Sequence, residues 1–227
     1  MRAAAAARGE AWEVSHRISG LYAITPDIAD TSELLAKVEA ALAGGAGLLQ
    51  YRNKSASPAL KRAQARALLA LAREHGIPLI INDHADLAAA VDADGLHLGG
   101  ADGSLGAARA RLGPDKIVGV SCYGDLENAL QVADAGADYV AFGSFFPSSV
   151  KPDASPASLA LLREARRRLA LPVVAIGGIT HDNAPQLIAA GADALAVISA
   201  LFSAPDIRGA AQRFSALFPE ARTNHRK

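Results

Sequence analysis

Apolar residues in this chain gather in eight short runs. They read "LYAIT" (21–25), "GLLQYRN" (47–53), "PLIIND" (78–83), "GLHLGG" (95–100), "KIVGVSC" (116–122), "YVAFGSF" (139–145), "PVVAIGG" (172–178) and "ALAVISA" (194–200). Each has strand length and several are bounded by Gly or Pro, so each predicts a buried strand. Between them lie Ala- and Leu-rich stretches with helical texture, such as "TSELLAKVEAALAGG" (31–45) and "SPALKRAQARALLALAREHG" (57–76). The first opens on Thr31-Ser32-Glu33, which offers capping chemistry, and closes on Gly44-Gly45, which suits a left-handed helix end. Only a brief helix fits "DLAAAV" (86–91), with Asp86 as its expected cap.

A punctuation recurs. "AGAD" stands at 135–138 and 190–193, with relatives "GGAG" at 44–47 and "DADG" at 92–95, each just before a strand. Eight strand–helix units in about 200 residues fit a closed barrel better than a doubly wound open sheet. The expected fold class is therefore α/β, a single (β/α)8 TIM barrel over residues 20–218. Residues 1–19 form an expected loosely ordered extension and 219–227 a fraying tail. No linker-like stretch divides the barrel.

Composition narrows the function. Positive and negative side chains balance at a formal net charge of +0, which argues against a nucleic-acid partner. A single cysteine, Cys122, excludes an internal disulfide and a cysteine-rich zinc site, and points to a reducing, cytoplasmic setting. No apolar run approaches the ~20 residues of a membrane span.

In such a barrel the chemistry collects where strands end at their C-terminal side. After the second strand, Gln50, Arg52 and Lys54 should share one side over about 13 Å, an amide and two cations suited to gripping an anion. The third strand ends on Asn82-Asp83, and Asp102 follows the fourth. Two hard carboxylates facing cations suit Mg²⁺ completed by substrate phosphates and water, although either acid alone reads equally well as a cap or turn residue. Ser121 ends the fifth strand without a nucleophile-elbow context, and Cys122 beside it reads as a packed small residue. Lys151 follows the sixth strand in "FGSFFPSSVKP" (142–152) with no obvious acidic neighbour. Gly177-Gly178 and Ile198-Ser199 close the seventh and eighth strands, where backbone N–H groups often hold a phosphate. Of the six histidines only His97 should be buried, as a satisfied core imidazole. Two anion sites of unlike character at one barrel mouth suggest a pyrophosphate with Mg²⁺ in one and a monophosphate in the other.

The motifs "QYRNK", "NDHADLA", "DGLHLGGAD", "GVSCY", "GADYVAFGSFFPSSVK", "VVAIGGI" and "ADALAVISA" occur in order from about Leu21 to Leu217. In that order they resemble the thiamine-phosphate synthase (thiamine-phosphate pyrophosphorylase) family. The resemblance implies a transferase that joins 4-amino-2-methyl-5-hydroxymethylpyrimidine diphosphate to hydroxyethylthiazole phosphate, or its carboxylated tautomer, with release of pyrophosphate. It further implies that Gln50, Tyr51, Arg52, Asn53, Lys54, Asn82, Ser121 and Lys151 hold the pyrimidine diphosphate. Arg52, Lys54, Ser121 and Lys151 are then the catalytic set. Asp83 and Asp102 ligate Mg²⁺, while Ser148, Ser149, Val150, Gly177, Gly178, Ile198 and Ser199 hold the thiazole phosphate. The family also suggests a homodimer.

Several positions depart from the family pattern: Val150 replaces a threonine, Gly100 a glutamine, Tyr123 a histidine and Ser158 a glycine. The alternatives are a thiazole tautomerase of the same fold and a non-catalytic sensor of thiazole or thiamine phosphate. Tyr123 stands where the tautomerase-like members carry their histidine.

Overall fold

Side chains along each strand alternate between two buried surfaces, and that alternation builds the molecule. The computed structural model describes residues 18–99, 103–147 and 157–218. Eight parallel strands run in chain order: β1 (Gly20–Ile24), β2 (Leu48–Tyr51), β3 (Leu79–Asn82), β4 (Gly95–Leu98), β5 (Ile117–Tyr123), β6 (Tyr139–Phe142), β7 (Val173–Ile176) and β8 (Ala194–Val197). They close into a barrel, with β8 pairing to β1 from Gly20↔Ala194 to Ala23↔Val197. The expected single (β/α)8 barrel is what the chain forms. Residues 1–17 and 219–227 lie outside the described residues. Ile18, placed in the N-terminal extension by its sequence position, is fully buried with the barrel interior.

The helices lie outside. They are α1 (Thr31–Ala43), α2 (Pro58–Glu74), α3 (Ala85–Val91), α4 (Leu105–Leu112), α5 (Leu126–Asp134), α6 (Leu159–Arg168), α7 (Ala184–Ala189), α8 (Ser199–Phe202) and α9 (Ile207–Ser215). Asp30, not Thr31, caps α1: its carboxylate accepts from the Ser32 and Glu33 N–H groups at 2.7 and 2.9 Å. Asp86 does not cap α3, whose cap position is His84; it sits in the first turn and pairs with Arg111. Ser158, which departs from the family glycine, caps α6 by accepting from the Leu161 N–H.

Outward residues such as Leu49, Ile81, Leu96, Val140 and Leu195 pack against the helices in one continuous core. Inward residues form a second, smaller cluster, including Tyr22, Leu48, Ile80, Tyr139 and Val174. Gly119 is inward because the Tyr139 ring fills its place: a Cβ there would lie 1.9 Å from the ring.

The recurring aspartate before the even-numbered strands has a structural reason. Asp94, Asp138 and Asp193 each bond the start of the preceding strand twice. Their backbone N–H groups donate to Leu79, Val118 and Val173 carbonyls, and their carboxylates accept from the same residues' N–H groups at 2.9, 2.6 and 2.8 Å. Gly47, at the matching place before β2, makes only the backbone bond, to Leu21 O. The clasp fastens the barrel at the face opposite the strand C-terminal ends.

Candidate active site

The C-terminal ends of the strands surround a cavity of about 490 Å³. Its first wall comes from β2 and β3. Gln50, Arg52 and Lys54 all line it, as the alternation along β2 requires, together with Asn82 and Asp83. Arg52 is fixed through its backbone, which exchanges hydrogen bonds with the Thr25 hydroxyl at 2.8 and 2.9 Å. Its guanidinium donates to Asp27 at 3.1 Å, and the same carboxylate accepts from the Lys54 N–H. Asp27 had no signal in the sequence beyond a turn after proline. Asp83 sits on left-handed backbone, φ 63°, with its N–H donating to the His97 carbonyl. For a residue other than glycine this is an uncommon conformation, of the kind found where a side chain is aimed at a ligand.

The floor is a hydrogen-bonded chain that sequence reasoning did not assemble. Gln50 Nε2 donates to the Tyr22 hydroxyl at 2.8 Å, and Tyr22 and Tyr139 hydroxyls lie 2.9 Å apart. His97 Nδ1 meets the Tyr139 hydroxyl at 2.9 Å and His97 Nε2 meets Ser121 Oγ at 2.8 Å. Burial pushes both phenols well above their ordinary value, so both stay protonated. One assignment uses each proton once: Gln50 to Tyr22, Tyr22 to Tyr139, Tyr139 to His97 Nδ1, and His97 Nε2 to Ser121. It leaves the Ser121 hydroxyl proton for the cavity. His97 is a buried, satisfied imidazole as expected, at 8 % exposure, and it also lines the cavity. The alternation that turns Gly95 and Gly119 inward was the available signal.

The opposite wall is neutral. Gly177, Gly178, Ile198 and Ser199 line it, joined by Ser144 and Thr180. Gly178 has φ 62°, and a Cβ there would meet the Pro147 carbonyl oxygen at 2.4 Å. Asn183 holds the turn by donating to the Gly178 carbonyl and accepting from the Thr180 N–H. Backbone bonds from Phe145 to Ile176 and from Phe146 to Gly177 tie the loop after β6 to the loop after β7. Before α6, the Ala157 N–H donates to the Ser144 carbonyl at 2.7 Å.

Two expected ligand residues are not brought to the cavity. Tyr51 points out of the barrel and donates to Gln64 Oε1 at 2.8 Å; Asn53 donates to Gln64 and to the Ile28 carbonyl. Both follow from the alternation that turns their neighbours inward. They line a separate hollow with Lys61 and His84 and brace the loop that carries Asp27. Cys122 is likewise outward and packed, and burial pushes its thiol up to about 12. Asp102, Ser148, Ser149, Val150 and Lys151, with Gly100, lie outside the described residues.

The donor set fits Mg²⁺. Among the described residues no group of three or more His, Cys, Asp or Glu side chains could hold a metal. One carboxylate, Asp83, stands beside an amide and two cations. Mg²⁺ retains waters and uses one or two carboxylates plus substrate phosphates, a habit with which the described donors are compatible.

A closed barrel with cations on one side of its mouth and glycines on the other defines an α/β-barrel enzyme acting on phosphorylated small molecules. The family described as thiamine monophosphate synthase matches residues 21–201. The thiamine-phosphate synthase of Methylobacillus flagellatus is 62% identical over 201 residues, covering 88% of this chain and 96% of that protein. That of Thiobacillus denitrificans is 58% identical over 199 residues, covering 88% and 94%. Among solved structures, thiamine phosphate pyrophosphorylase from Pyrococcus furiosus superposes with a TM-score of 0.80 at 37% identity, covering 90% of this chain and 96% of that one. The chain belongs to the thiamine-phosphate synthase family.

Proposed function

We propose that the barrel joins the pyrimidine diphosphate to the thiazole phosphate, forming thiamine phosphate and releasing pyrophosphate. The observation that carries this reading is the asymmetry of one cavity: Arg52, Lys54 and Asp83 on one wall, Gly177 and Gly178 on the other. The cationic wall takes the diphosphate and the glycine wall takes the monophosphate. Between them, the floor places Gln50, Tyr22 and His97 against the aminopyrimidine ring, while Tyr139, buried beneath, links Tyr22 to His97.

In the reaction the methylene–oxygen bond of the pyrimidine breaks and its electron pair leaves with pyrophosphate. The thiazole nitrogen supplies the pair for the new carbon–nitrogen bond. Arg52 and Lys54 favour this step because negative charge grows on the departing oxygens beside them. Ser121 donates a hydrogen bond to the same group. Asp83, with Asp102, would hold Mg²⁺, which when bound adds positive charge against the pyrophosphate. No protein nucleophile is required, and the walls contribute by holding two rings in line. A pair of phosphorylated substrates suits the balanced overall charge with local cations. The tautomerase alternative loses support from Tyr123 at the histidine position, and a sensor would have no use for the metal-binding carboxylates.

The test is direct: purified protein is mixed with both substrates and Mg²⁺, and thiamine phosphate and pyrophosphate are measured. No product above the buffer control would reject the synthase reading. With product formed, Arg52→Gln should lower kcat by about 100-fold, and Asp83→Asn should raise the Mg²⁺ concentration needed for half-maximal rate. An unchanged rate in Arg52→Gln would remove that residue from the leaving-group site.

A further inference from the structure

Tyr123 is the one large apolar side chain among the described residues that is exposed, at 44 %. It lies on the rim of the cavity. Two features of the backbone place it there. The β5–β6 register shifts between Ser121 and Tyr123, so that Ser121 faces Ala141 while Tyr123 faces Phe142. One extra residue on β5 thus re-aims the end of the strand, a device that recurs beside active sites. Tyr123 itself has φ 53°, in the left-handed region that a bulky residue rarely adopts. The ring thus presents part of its surface to the cavity from a fixed backbone position.

The neighbours of Tyr123 connect it to the glycine wall. Its carbonyl accepts from the Gly143 N–H at 3.0 Å. Gly143 abuts Ile176, and the next residue, Ser144, abuts Gly177: Cβ atoms built on the two glycines would meet these neighbours at 2.2 and 2.1 Å. Through Gly143 and Ser144, Tyr123 is thus linked to Gly177 on the proposed thiazole-phosphate wall.

We propose that Tyr123 is a specificity-determining residue whose ring stacks on the thiazole of the second substrate. The assignment rests on the synthase reading above. The chemistry favours it beyond simple contact. When the thiazole nitrogen gives its lone pair to the pyrimidine methylene carbon, the ring becomes a thiazolium cation, while the carbon–oxygen pair leaves with pyrophosphate. An aromatic face attracts a cation more strongly than a neutral ring, so the contact tightens as the bond forms.

Tyr123→Gly tests this, because glycine accepts φ 53° and removes the ring without adding strain. Stacking on an aromatic side chain is worth about tenfold or more in affinity. The expected results are a roughly tenfold lower kcat/KM for thiazole phosphate and a roughly tenfold weaker binding of thiamine phosphate by calorimetry. KM for the pyrimidine diphosphate should stay within about twofold, thermal melting should show a retained fold, and Tyr123→Phe should keep most of the wild-type behaviour. Unchanged thiazole parameters in a folded, active Tyr123→Gly protein would overturn the assignment alone. So would a loss confined to the pyrimidine diphosphate. A wild-type protein that forms no thiamine phosphate would overturn the synthase reading itself.

Discussion

The Gly119–Tyr139 contact shows how single residues set the floor. Adding a methyl at Gly119 drives it to 1.9 Å from the Tyr139 ring, whose hydroxyl joins Tyr22 to His97. Gly119→Ala should therefore destabilise the protein by about 3 kcal/mol, read from the urea midpoint. A midpoint equal to wild type would mean that the ring swings aside at no cost. Buried ionisable groups give a second prediction at this scale. In the unfolded chain the Cys122 thiol ionises near its ordinary 9.0 and the Tyr51 phenol near 10.0, whereas burial delays both to about 12, with the Asp27 carboxylate adding to the effect at Tyr51. The stability that comes from keeping them neutral is complete below pH about 9 and declines up to pH about 12, at most ~1.4 kcal/mol per pH unit for each group. Urea midpoints at pH 8 and 11 should differ accordingly, and Cys122→Ala should narrow the gap; equal midpoints would contradict the account. Residue by residue, alternation along β2 already separated Gln50, Arg52 and Lys54 from Tyr51 and Asn53. Family likeness groups all five, and of these the described cavity is lined by Gln50, Arg52 and Lys54.

At the level of elements, the clasp explains the "AGAD" punctuation. Glycine and a small residue let the chain return, and the aspartate then ties two strands. The repetition was visible in the sequence, but its partners were not, because Leu79, Val118 and Val173 become neighbours only once the parallel register is set. Asp193→Ala leaves the Val173 N–H without its acceptor and should cost about 1–3 kcal/mol in the urea midpoint. Because the clasp lies on the face away from the cavity, kcat should stay within about twofold of wild type. A large fall in kcat at intact stability would mean that the two faces are coupled. Helix starts were harder to read: Thr31-Ser32-Glu33 and Asp86 looked like caps, yet Asp30 and His84 hold those positions, since several adjacent residues can satisfy the same spacing.

For the whole molecule, the eight apolar runs were enough to indicate a barrel, because a buried parallel sheet demands continuous apolar strands. The cavity's two walls were also legible, since side chains at strand ends inherit their direction from the strand. The floor was not. Tyr22, Gln50, His97, Ser121 and Tyr139 meet across the barrel from five strands, and no local pattern marks that meeting. No helix among the described residues is long and apolar enough to cross a membrane.

The 2.7 Å bond between Ala157 and Ser144 has a consequence for evolution. It holds the two described ends of the β6–α6 connection beside each other, so a change of length between them should be absorbed locally while β6, β7 and the glycine wall keep their places.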